Sequence, residues 1–441
     1  MVEPVLWKWL LAYGILGLAL WFITFGGIRS RKRQRLIQNI PTSKTAGVFI
    51  GLVEVQGTAE SDSPITSELA KARCVHYSFS VQEHWSRRVT ETYRGSGGKA
   101  RTRTRTESGW KTIESGGHEI PFYLKDDSGL LRIVPAKAKV EPMTLFSEKV
   151  RRSDPLYYSR GHHFAVSNST HKRRFLESGI PMQHDVYVIG QSREREDIAA
   201  AEIAHDETVK MFIISTRPEE KIQKSFRNGF WGFIIFGLLV SIGGPWLLQD
   251  ILIHAQSFPL LSSGITVGVY LIQLIARWSL MVFNDPVDLK NRVFQASANI
   301  DVQLKRRQDL IPRLVKVVSG LKDYESKLQS HLVKLRAQSN TTVKTKGTKP
   351  SECFSSITAI AEAYPEMKSD DTFLKLQKKL SDTEERIALA RNYYNDIVTH
   401  YNTRRETIPD RYFASIAGLK HIDLFVAEDF RRATVKVELV D

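Results

Sequence analysis

A double apolar stretch in residues 228–283 constrains this chain more than any other feature. Residues 228–249 form a run of 22 residues without a charge, and residues 255–276 are again uncharged. An α-helix rises about 1.5 Å per residue, so about 20 apolar residues are enough to cross the hydrocarbon of a bilayer. The sequence therefore predicts two transmembrane helices, 228–249 and 259–283, joined by a short turn. Arg277, near the end of the second, can extend its charged group to the interface.

A third apolar run lies near the N-terminus. Within residues 7–28 the single charge is Lys8, and Trp7, Trp9 and Trp21 stand where aromatic belts lie in membrane helices. A secretory signal peptide is the alternative interpretation. The run is longer than a typical signal core, however, and its cations follow it instead of preceding it. We therefore predict a transmembrane helix at 7–28.

Positive charge beside the spans predicts their orientation. The net charge is +15, and five cations without an acid follow the first span directly: Arg29, Arg31, Lys32, Arg33 and Arg35. Because cytoplasmic flanks of spans are rich in Lys and Arg, the N-terminus is expected outside and both soluble parts in the cytoplasm, at a bacterial inner membrane. Nucleic acid is not an expected partner, because the basic residues form no face with interleaved aromatics.

Residues 36–220, between the first and second spans, show the alternation of β-strands. Short runs rich in Val, Ile, Phe and Tyr are separated by Gly, Pro, Ser and Asp, as in VFIGLVEVQG, CVHYSFSVQEHW and DVYVIGQS. The pattern predicts a small, mainly antiparallel β domain. Helical additions are expected at 147–152 and 196–205. The DDSG sequence at 126–129 is expected to be a turn in which Gly129 can take a positive φ.

These runs, with Trp110 and IPFYLKDDSGLLRIVPAKAKVE, resemble the GIDE domain of membrane-anchored ubiquitin ligases over residues 46–216. The resemblance implies a β-rich domain between membrane helices. The ligase activity of those relatives resides in a RING, whose zinc ions need paired sets of Cys and His ligands. Since the chain has only Cys74 and Cys353, ubiquitin ligation is not expected to carry over, and no metal or cofactor is predicted.

A basic segment rich in Gly and Ser interrupts the β-rich part at residues 94–105. Arg101, Arg103 and Arg105 alternate with threonines, so all three would lie on one face of a hairpin strand. A solvated hairpin arm is the favoured interpretation, and a patch for anionic lipid headgroups or an acidic partner is the alternative. A nucleotide loop is not predicted, because the glycines do not stand between a strand and a helix beside a Lys-Ser or Lys-Thr pair.

After the third span the apolar period lengthens from two to about 3.5 residues. Asp285 is expected to cap a new helix whose first turn holds Pro286, and Pro312 is expected to kink that helix. A second long helix begins near Asp371 and places apolar residues on heptad a and d positions. Residues 284–432 are therefore predicted to form an antiparallel helical bundle, with a loop at 338–350 and a short helix at 351–363.

Polar residues follow the apolar seam of the second long helix. Glu384, Arg391, Asn395 and Asn402 are seven, four and seven positions apart, so they line up beside the seam. Ion pairing with charged residues of the first long helix is the favoured explanation, those residues being Asp301, Arg306, Arg307 and Asp309. A groove with Arg391, Asn395 and Asn402 as partner contacts is the alternative. No nucleophile with a nearby base can be identified, and no catalytic residue is predicted.

These helices resemble the LemA family. NIDVQLKRRQDLIPRLVKVVSGLKDYESKL matches its first long helix, FLKLQKKLSDTEERIALARNYYNDIVTHYNT its second, and IPDRYFASIAGLKHIDLFVAED its C-terminal segment. The match covers residues 283 to 428 or so, and implies a bundle that continues from a membrane helix into the cytoplasm. The resemblance implies no reaction. A GIDE-like body, two further spans and a Lys- and Thr-rich extension at 340–350 depart from the family pattern.

The sequence therefore predicts a multi-domain membrane protein. It combines three transmembrane helices, a mainly β GIDE-like domain of the α+β type and an antiparallel α-helical bundle. The expected function is a non-enzymatic scaffold or adaptor that presents its two cytoplasmic modules to membrane lipids and a protein partner. The alternative is a membrane-associated enzyme or regulatory subunit, linked to protein modification through the GIDE-like domain. A homo-oligomer is compatible with both.

Overall fold

The structure is a computed structural model that describes residues 3–94, 100–162, 166–195, 200–207, 211–248, 259–320 and 371–425. The chain divides into two compact units. Thr42–Ile222 form the β unit, and Met1–Pro41 with Gln223–Asp441 form the helical unit. The predicted loop at 338–350, the predicted short helix at 351–363 and the turn between the second and third predicted spans lie outside the described residues.

The β unit contains two sheets. Its strands are β1 (Thr42–Ser43), β2 (Gly51–Glu60), β3 (Ile65–Thr66), β4 (Arg73–Arg94), β5 (Ala100–Glu119), β6 (Phe122–Lys125), β7 (Leu130–Ile133), β8 (Lys139–Glu141), β9 (Met143–Arg151), β10 (Ser169–Pro181), β11 (Asp185–Glu194), β12 (Ala201–Ala204) and β13 (Ile213–Ser215).

The first sheet curls into a barrel-like ring. Strand β2 pairs with β6, followed in turn by β7, β12 and β11, and β11 pairs back to β2. The inward positions of these strands are fully buried and aliphatic, as at Val53, Leu124, Ile133, Val188 and Ile203. Burial of such side chains is the main stabilising contribution to the fold. The predicted β-rich domain is confirmed.

The second sheet places β10 between β4 and β9, with β5 on the far side of β4. Phe79, Val81 and Phe175 form its apolar core together with Tyr157. Strand β10 pairs with β4 only as far as Trp85, whereas β4 and β5 remain paired to Arg94 and Ala100. Residues 86–94 and 100–108 therefore form a two-stranded arm, which we call the hairpin arm.

Two predicted helical additions are wrong where the structure describes them, residues 196–199 of the second lying outside the described residues. Residues 147–151 lie in β9, which pairs with β10, and residues 201–204 form β12, which pairs with β11 and β7. Both segments contain good helix formers, but strand pairing and burial outweigh that local preference. Ile203 of β12 is fully buried in the ring.

The DDSG segment is a turn between β6 and β7, as predicted, and Lys125 pairs with Leu130 across it. Gly129 does not take a positive φ. Instead, the Asp126 carboxylate shapes the turn, because its Oδ1 atom accepts the N–H groups of Ser128 at 2.8 Å and Gly129 at 3.0 Å. An aspartate side chain that bonds to the backbone two residues later is a common substitute for the conformational freedom of glycine.

The helical unit is built mainly from long helices. In chain order, the described helices are α1 (Glu3–Gln38), α2 (Glu219–Leu248), whose first residues belong to the β unit, α3 (Pro259–Gly320), α4 (Asp371–Glu406) and the short α5 (Asp410–Ile416). Within the described residues, three segments are long and apolar enough to cross a membrane: Leu11–Gln38, Glu219–Leu248 and Leu260–Leu310. Large apolar side chains are exposed along them, as at Leu18, Leu239 and Ile272. A helix that is apolar on most of its circumference suits a lipid environment, so these helices indicate membrane association.

The third predicted span and the first predicted bundle helix are one continuous helix, α3. Asp285 and Pro286 therefore lie inside a helix, and the prediction that Asp285 caps one is wrong. Pro312 also lies inside α3, which continues to Gly320. A proline removes one N–H from the helical ladder, and the kink expected at Pro312 stays a prediction.

Helices α3 and α4 pack along apolar seams. The buried residues are Val293, Ala296 and Ile300 on α3, and Ile387, Ile397 and Tyr401 on α4. Arg307 of α3 lies 3.4 Å from Glu384 of α4. Asp285, earlier on α3, shares Arg35 with Asp410 just after α4. The two helices are therefore antiparallel.

Candidate functional site

Two asparagines of α4 hold an extended part of the chain by its backbone. Asn395 Nδ2 donates to the carbonyl oxygen of Phe425 at 3.0 Å, and its Oδ1 accepts the Phe425 N–H at 2.8 Å. Asn402 makes the same pair of bonds with Ile422, at 2.8 and 3.3 Å. Each side-chain amide thus satisfies both backbone polar groups of one residue, as a neighbouring strand would.

Two tyrosines form a second row beside the asparagines. The Tyr401 hydroxyl donates to the carbonyl oxygen of Lys420 at 2.8 Å, and the Tyr394 hydroxyl donates to that of Asp423 at 3.4 Å. The ring of Tyr394 also meets the ring of Phe425 edge to face, with centroids 4.9 Å apart. We call these four α4 residues the main-chain strip, and residues 419–425 the docked segment.

The spacing of the strip matches the spacing of an extended chain. Asn395 and Asn402 are seven residues apart, and so are Tyr394 and Tyr401, which is about 10.5 Å along a helix. Their partners are three residues apart in both rows, which is about 10 Å in an extended chain. A helix with polar groups at a seven-residue interval is therefore suited to binding the backbone of a strand.

The polar residues nearer the start of α4 form an ion pair instead. Glu384 lies 3.4 Å from Arg307, so the predicted pairing between the long helices is present there. Burial raises the pKa of Glu384, while the charges of Arg307 and Arg391 oppose that rise. Arg391 therefore acts electrostatically on this ion pair. The polar residues that align in the sequence therefore have two different roles. Glu384 and Arg391 belong to the ion pair with Arg307, whereas Asn395 and Asn402 bind the docked segment.

The three arginines of the hairpin arm lie on one face of β5. Arg101, Arg103 and Arg105 stand opposite Tyr93, Glu91 and Val89, as strand alternation predicts. Arg103 and Arg105 have exposed side chains. Glu107 partly offsets their charge, because it lies 3.1 Å from Arg105 and 2.8 Å from Arg87.

A buried charge cluster joins four elements of the helical unit. Arg35 of α1 lies 2.7 Å from Asp285 of α3 and 3.0 Å from Asp410 of α5. Arg404 of α4 lies 3.6 Å from Asp410 and donates to the side-chain oxygen of Asn39 at 3.1 Å. From the sequence, Arg35 is one of the cations that predict the orientation of the first span. The sequence does not indicate this cluster, because no local periodicity links residues so far apart in the chain.

The barrel-like ring contains a buried acid that the sequence did not reveal. Glu54 is fully buried and accepts hydrogen bonds from the hydroxyls of Tyr187 and Thr42, each at 2.8 Å. Burial raises the pKa of Glu54 to about 7, and the charge of Glu219 adds to the rise. This carboxyl group therefore changes its charge near neutral pH.

A buried ion pair stabilises the second sheet. Both side chains of the Glu83–Arg173 pair are buried, and the Arg173 Nη2 atom lies 3.1 Å from the Glu83 carboxylate. Glu83 also accepts the hydroxyl of Tyr157 at 3.0 Å. Arg173 donates to the carbonyl oxygens of Tyr157 and Arg160, each at 2.7 Å. The pair thus fixes the loop after β9 and forms part of the scaffold of the domain.

The described part of the protein combines three apolar helices, a β-rich unit and an antiparallel pair of long helices. A family model described as the LemA family matches residues 296–439. The GIDE model, described as E3 Ubiquitin ligase, matches residues 90–247. Both resemblances noted in the sequence are confirmed, the first for the C-terminal part of the chain and the second for the part before it.

Individual proteins are similar to parts of this chain, and one of them is a LemA protein. Protein LemA of Metamycoplasma hominis is 24% identical over 178 residues, which cover 39% of this chain and 78% of the relative. Magnetosome protein MamQ of Magnetospirillum gryphiswaldense is 37% identical over 67 residues, and MamQ 2 of Paramagnetospirillum magneticum is 36% identical over 67. The matched residues span 25% of either MamQ protein and 15% of this chain.

Proposed function

We propose that this protein is a membrane-anchored, non-enzymatic scaffold or adaptor. Three transmembrane helices hold the β unit and the long helices on the cytoplasmic side of a bacterial inner membrane. The three apolar helices support the anchoring, and the run of cations after the first span supports the orientation. The similarity to LemA proteins agrees with this arrangement.

The main-chain strip is the observation that carries this proposal. Asn395 and Asn402 each bind both backbone polar groups of a residue in the docked segment. Side-chain amides and tyrosine hydroxyls arranged in this way are hydrogen-bonding groups for a polypeptide backbone. The geometry therefore favours protein binding over a reaction.

The hairpin arm offers a second binding surface in this proposal. Arg103 and Arg105 are exposed, and cations of this kind attract anionic lipid headgroups or an acidic protein surface. Glu107 pairs with Arg105, so the attraction is weaker than the arginines alone would give. We assign the arm an accessory role.

A regulatory subunit linked to protein modification is the second candidate. The match of residues 90–247 to a model described as E3 Ubiquitin ligase favours it. The chain has two cysteines, Cys74 and Cys353, which do not suffice for the paired zinc-ligand sets of a RING. In this candidate the β unit would recruit a modifying enzyme and would not itself transfer ubiquitin.

Partner isolation tests the adaptor. The tagged full-length protein is purified from bacterial membranes in detergent, and co-isolated proteins are compared between the wild type and the N395A/N402A double variant. Asn392→Ala is the matched control, because this asparagine is exposed on the same helix. We expect a partner that the wild type and the control retain and the double variant loses. A partner indifferent to the double substitution, or turnover abolished by one ionisable residue in a folded protein, would contradict the proposal.

A further inference from the structure

We propose that the main-chain strip is a binding site for an extended polypeptide strand of a partner protein, and that the docked segment is its exchangeable internal occupant. This inference deepens the proposed adaptor function and rests on it for the source of the strand. It specifies which groups of the partner bind the strip, namely the backbone N–H and carbonyl groups of an extended strand. The affinity of the site itself can be measured without knowing the partner.

Recognition at the strip depends on the backbone of the bound strand. All six hydrogen bonds described above end on N–H or carbonyl groups of residues 420, 422, 423 and 425. The side chains of Leu424 and Phe425 remain 48% and 42% exposed. Since every residue except proline carries the same backbone groups, another strand can make the same bonds.

The docked segment can leave without dismantling the fold around it. Before it, α5 is anchored by Asp410, which is buried beside Arg35 and Arg404. Gly418 follows α5 with a φ of 62°, a left-handed conformation that suits glycine. The N–H groups of Gly418 and Leu419 donate to the carbonyl oxygens of Ser415 and Ala414, at 3.1 and 3.0 Å, so α5 is capped without help from the strip. The loss of the six bonds to the strip therefore leaves the end of α5 intact.

The aromatic contact adds a preference to this backbone recognition. Tyr394 meets the ring of Phe425 edge to face, and such pairs stabilise a complex beyond the area they bury. The partner strand is thus expected to be extended, to carry an aromatic residue at the Asn395 position and to have no proline there or three residues before it. Peptides of this kind bind in the β-addition mode, with a helix in place of a sheet edge.

The test uses substitutions to release the docked segment from the strip, and then adds the same strand as a separate peptide. The I422P/F425P variant of the full-length chain lacks the two N–H groups that Asn402 and Asn395 accept, while every residue of the strip is retained. Leu424→Pro is the matched control, because the N–H of Leu424 makes none of the six bonds. The probe is a fluorescent peptide with the sequence of residues 417–425, capped at both ends, titrated in detergent.

We expect the peptide to bind I422P/F425P at least about tenfold more tightly than it binds the wild type or the Leu424→Pro control. The tethered segment of those two proteins competes at a high effective concentration. Adding N395A/N402A to the released variant should abolish binding, as should placing both prolines in the peptide. A thermal unfolding scan shows that each variant is folded.

Three results would overturn the inference. They are no binding to the folded released variant, binding that survives N395A/N402A, and a wild-type dimer that N395A/N402A converts to a monomer. The last would show that copies of this chain exchange their docked segments, leaving no site for a foreign strand. Partner isolation is a separate measurement, so the two failures are distinguishable: a co-isolated partner that N395A/N402A still loses would leave the adaptor proposal standing even where the peptide experiment fails.

Discussion

The guanidinium of Arg35 lies 2.7 Å from the carboxylate of Asp285, although the two residues are 250 positions apart in the chain. Asp410 lies 3.0 Å from the same arginine nitrogen, and all three side chains are buried. One cation of the run after the first apolar helix is therefore part of the packed interior. It connects the end of α1 to α3 and α5.

Removing this cation should be far more destabilising than removing its neighbour. Arg35→Ala leaves two buried carboxylates without their shared partner, for which we expect a loss of roughly 3–5 kcal/mol in the free energy of unfolding. Lys32→Ala removes an exposed cation from the same run and should change little. Thermal unfolding of both variants in detergent checks this. Equal melting temperatures would mean that the cluster contributes nothing to stability.

Glu83 and Glu107, two glutamates of the second sheet that pair with arginines, should differ in the same way. Glu83→Ala leaves Arg173 buried and unpaired, and should lower the free energy of unfolding by roughly 3–5 kcal/mol. Glu107→Ala breaks exposed pairs with Arg87 and Arg105 and should leave the melting temperature nearly unchanged. The measurement is thermal unfolding followed by circular dichroism in the β-sheet region. A similar loss in both variants would contradict the structural role of the buried pair.

The stability of the β unit should fall as the pH rises towards neutrality. The pKa of Glu54 is raised by burial from 4.5 to about 7, so the folded state binds a proton that the unfolded state releases. The stability from this group is fully present below about pH 4.5 and is lost as the pH rises through 7. A shift of this size corresponds to about 3 kcal/mol.

Glu54→Gln isolates this effect, because it keeps the shape of the side chain and removes the titration. At pH 8 we expect the variant to be more stable than the wild type by up to about 3 kcal/mol, and near pH 4.5 the difference should vanish. Glu194→Gln, at an exposed end of β11, is the control. Melting temperatures across this range provide the measurement, and a difference between variant and wild type that does not depend on pH would refute the assignment.

The main-chain strip should protect two backbone amides from solvent. The N–H groups of Ile422 and Phe425 donate to Asn402 and Asn395, in a segment that forms no regular strand. Hydrogen exchange should therefore be slow at these amides in the wild type, and should accelerate at both in N395A/N402A. Asn392→Ala should leave the exchange slow. Rapid exchange in the wild type would show that the strip does not hold the segment in solution.

Much of this architecture could be predicted from sequence periodicity. The apolar runs predicted the three apolar helices, although α2 begins at Glu219 instead of 228, because its first turns are polar and carry no apolar signal. Alternation predicted β2, β4 and β11 and placed the three arginines of the hairpin arm on one face. Such features depend on neighbours in the chain, and periodicity reports them directly.

The predictions that proved wrong concern segments in which contacts with residues distant in the chain outweigh local sequence preferences. Asp285 and Pro286 have the composition of a helix start, yet α3 passes through them, and Asp285 pairs with Arg35. The segments that became β9 and β12 favour helix locally and are strands because neighbouring strands pair with them. The seven-residue interval of Asn395 and Asn402 was visible in the sequence. The sequence did not indicate that the docked segment binds there, because an irregular extended segment carries no periodic signal.

If the β unit and the α3–α4 pair both lie on the cytoplasmic side of a membrane that the chain crosses three times, Gln256 lies outside and Asp441 inside. Reporter fusions at these two residues in bacterial cells distinguish the two sides, using one reporter active only outside the cytoplasm and one active only inside. We expect the fusion at Gln256 to be active outside and the fusion at Asp441 to be active inside. The same compartment for both fusions would contradict the hairpin formed by the second and third spans, and with it the proposed adaptor.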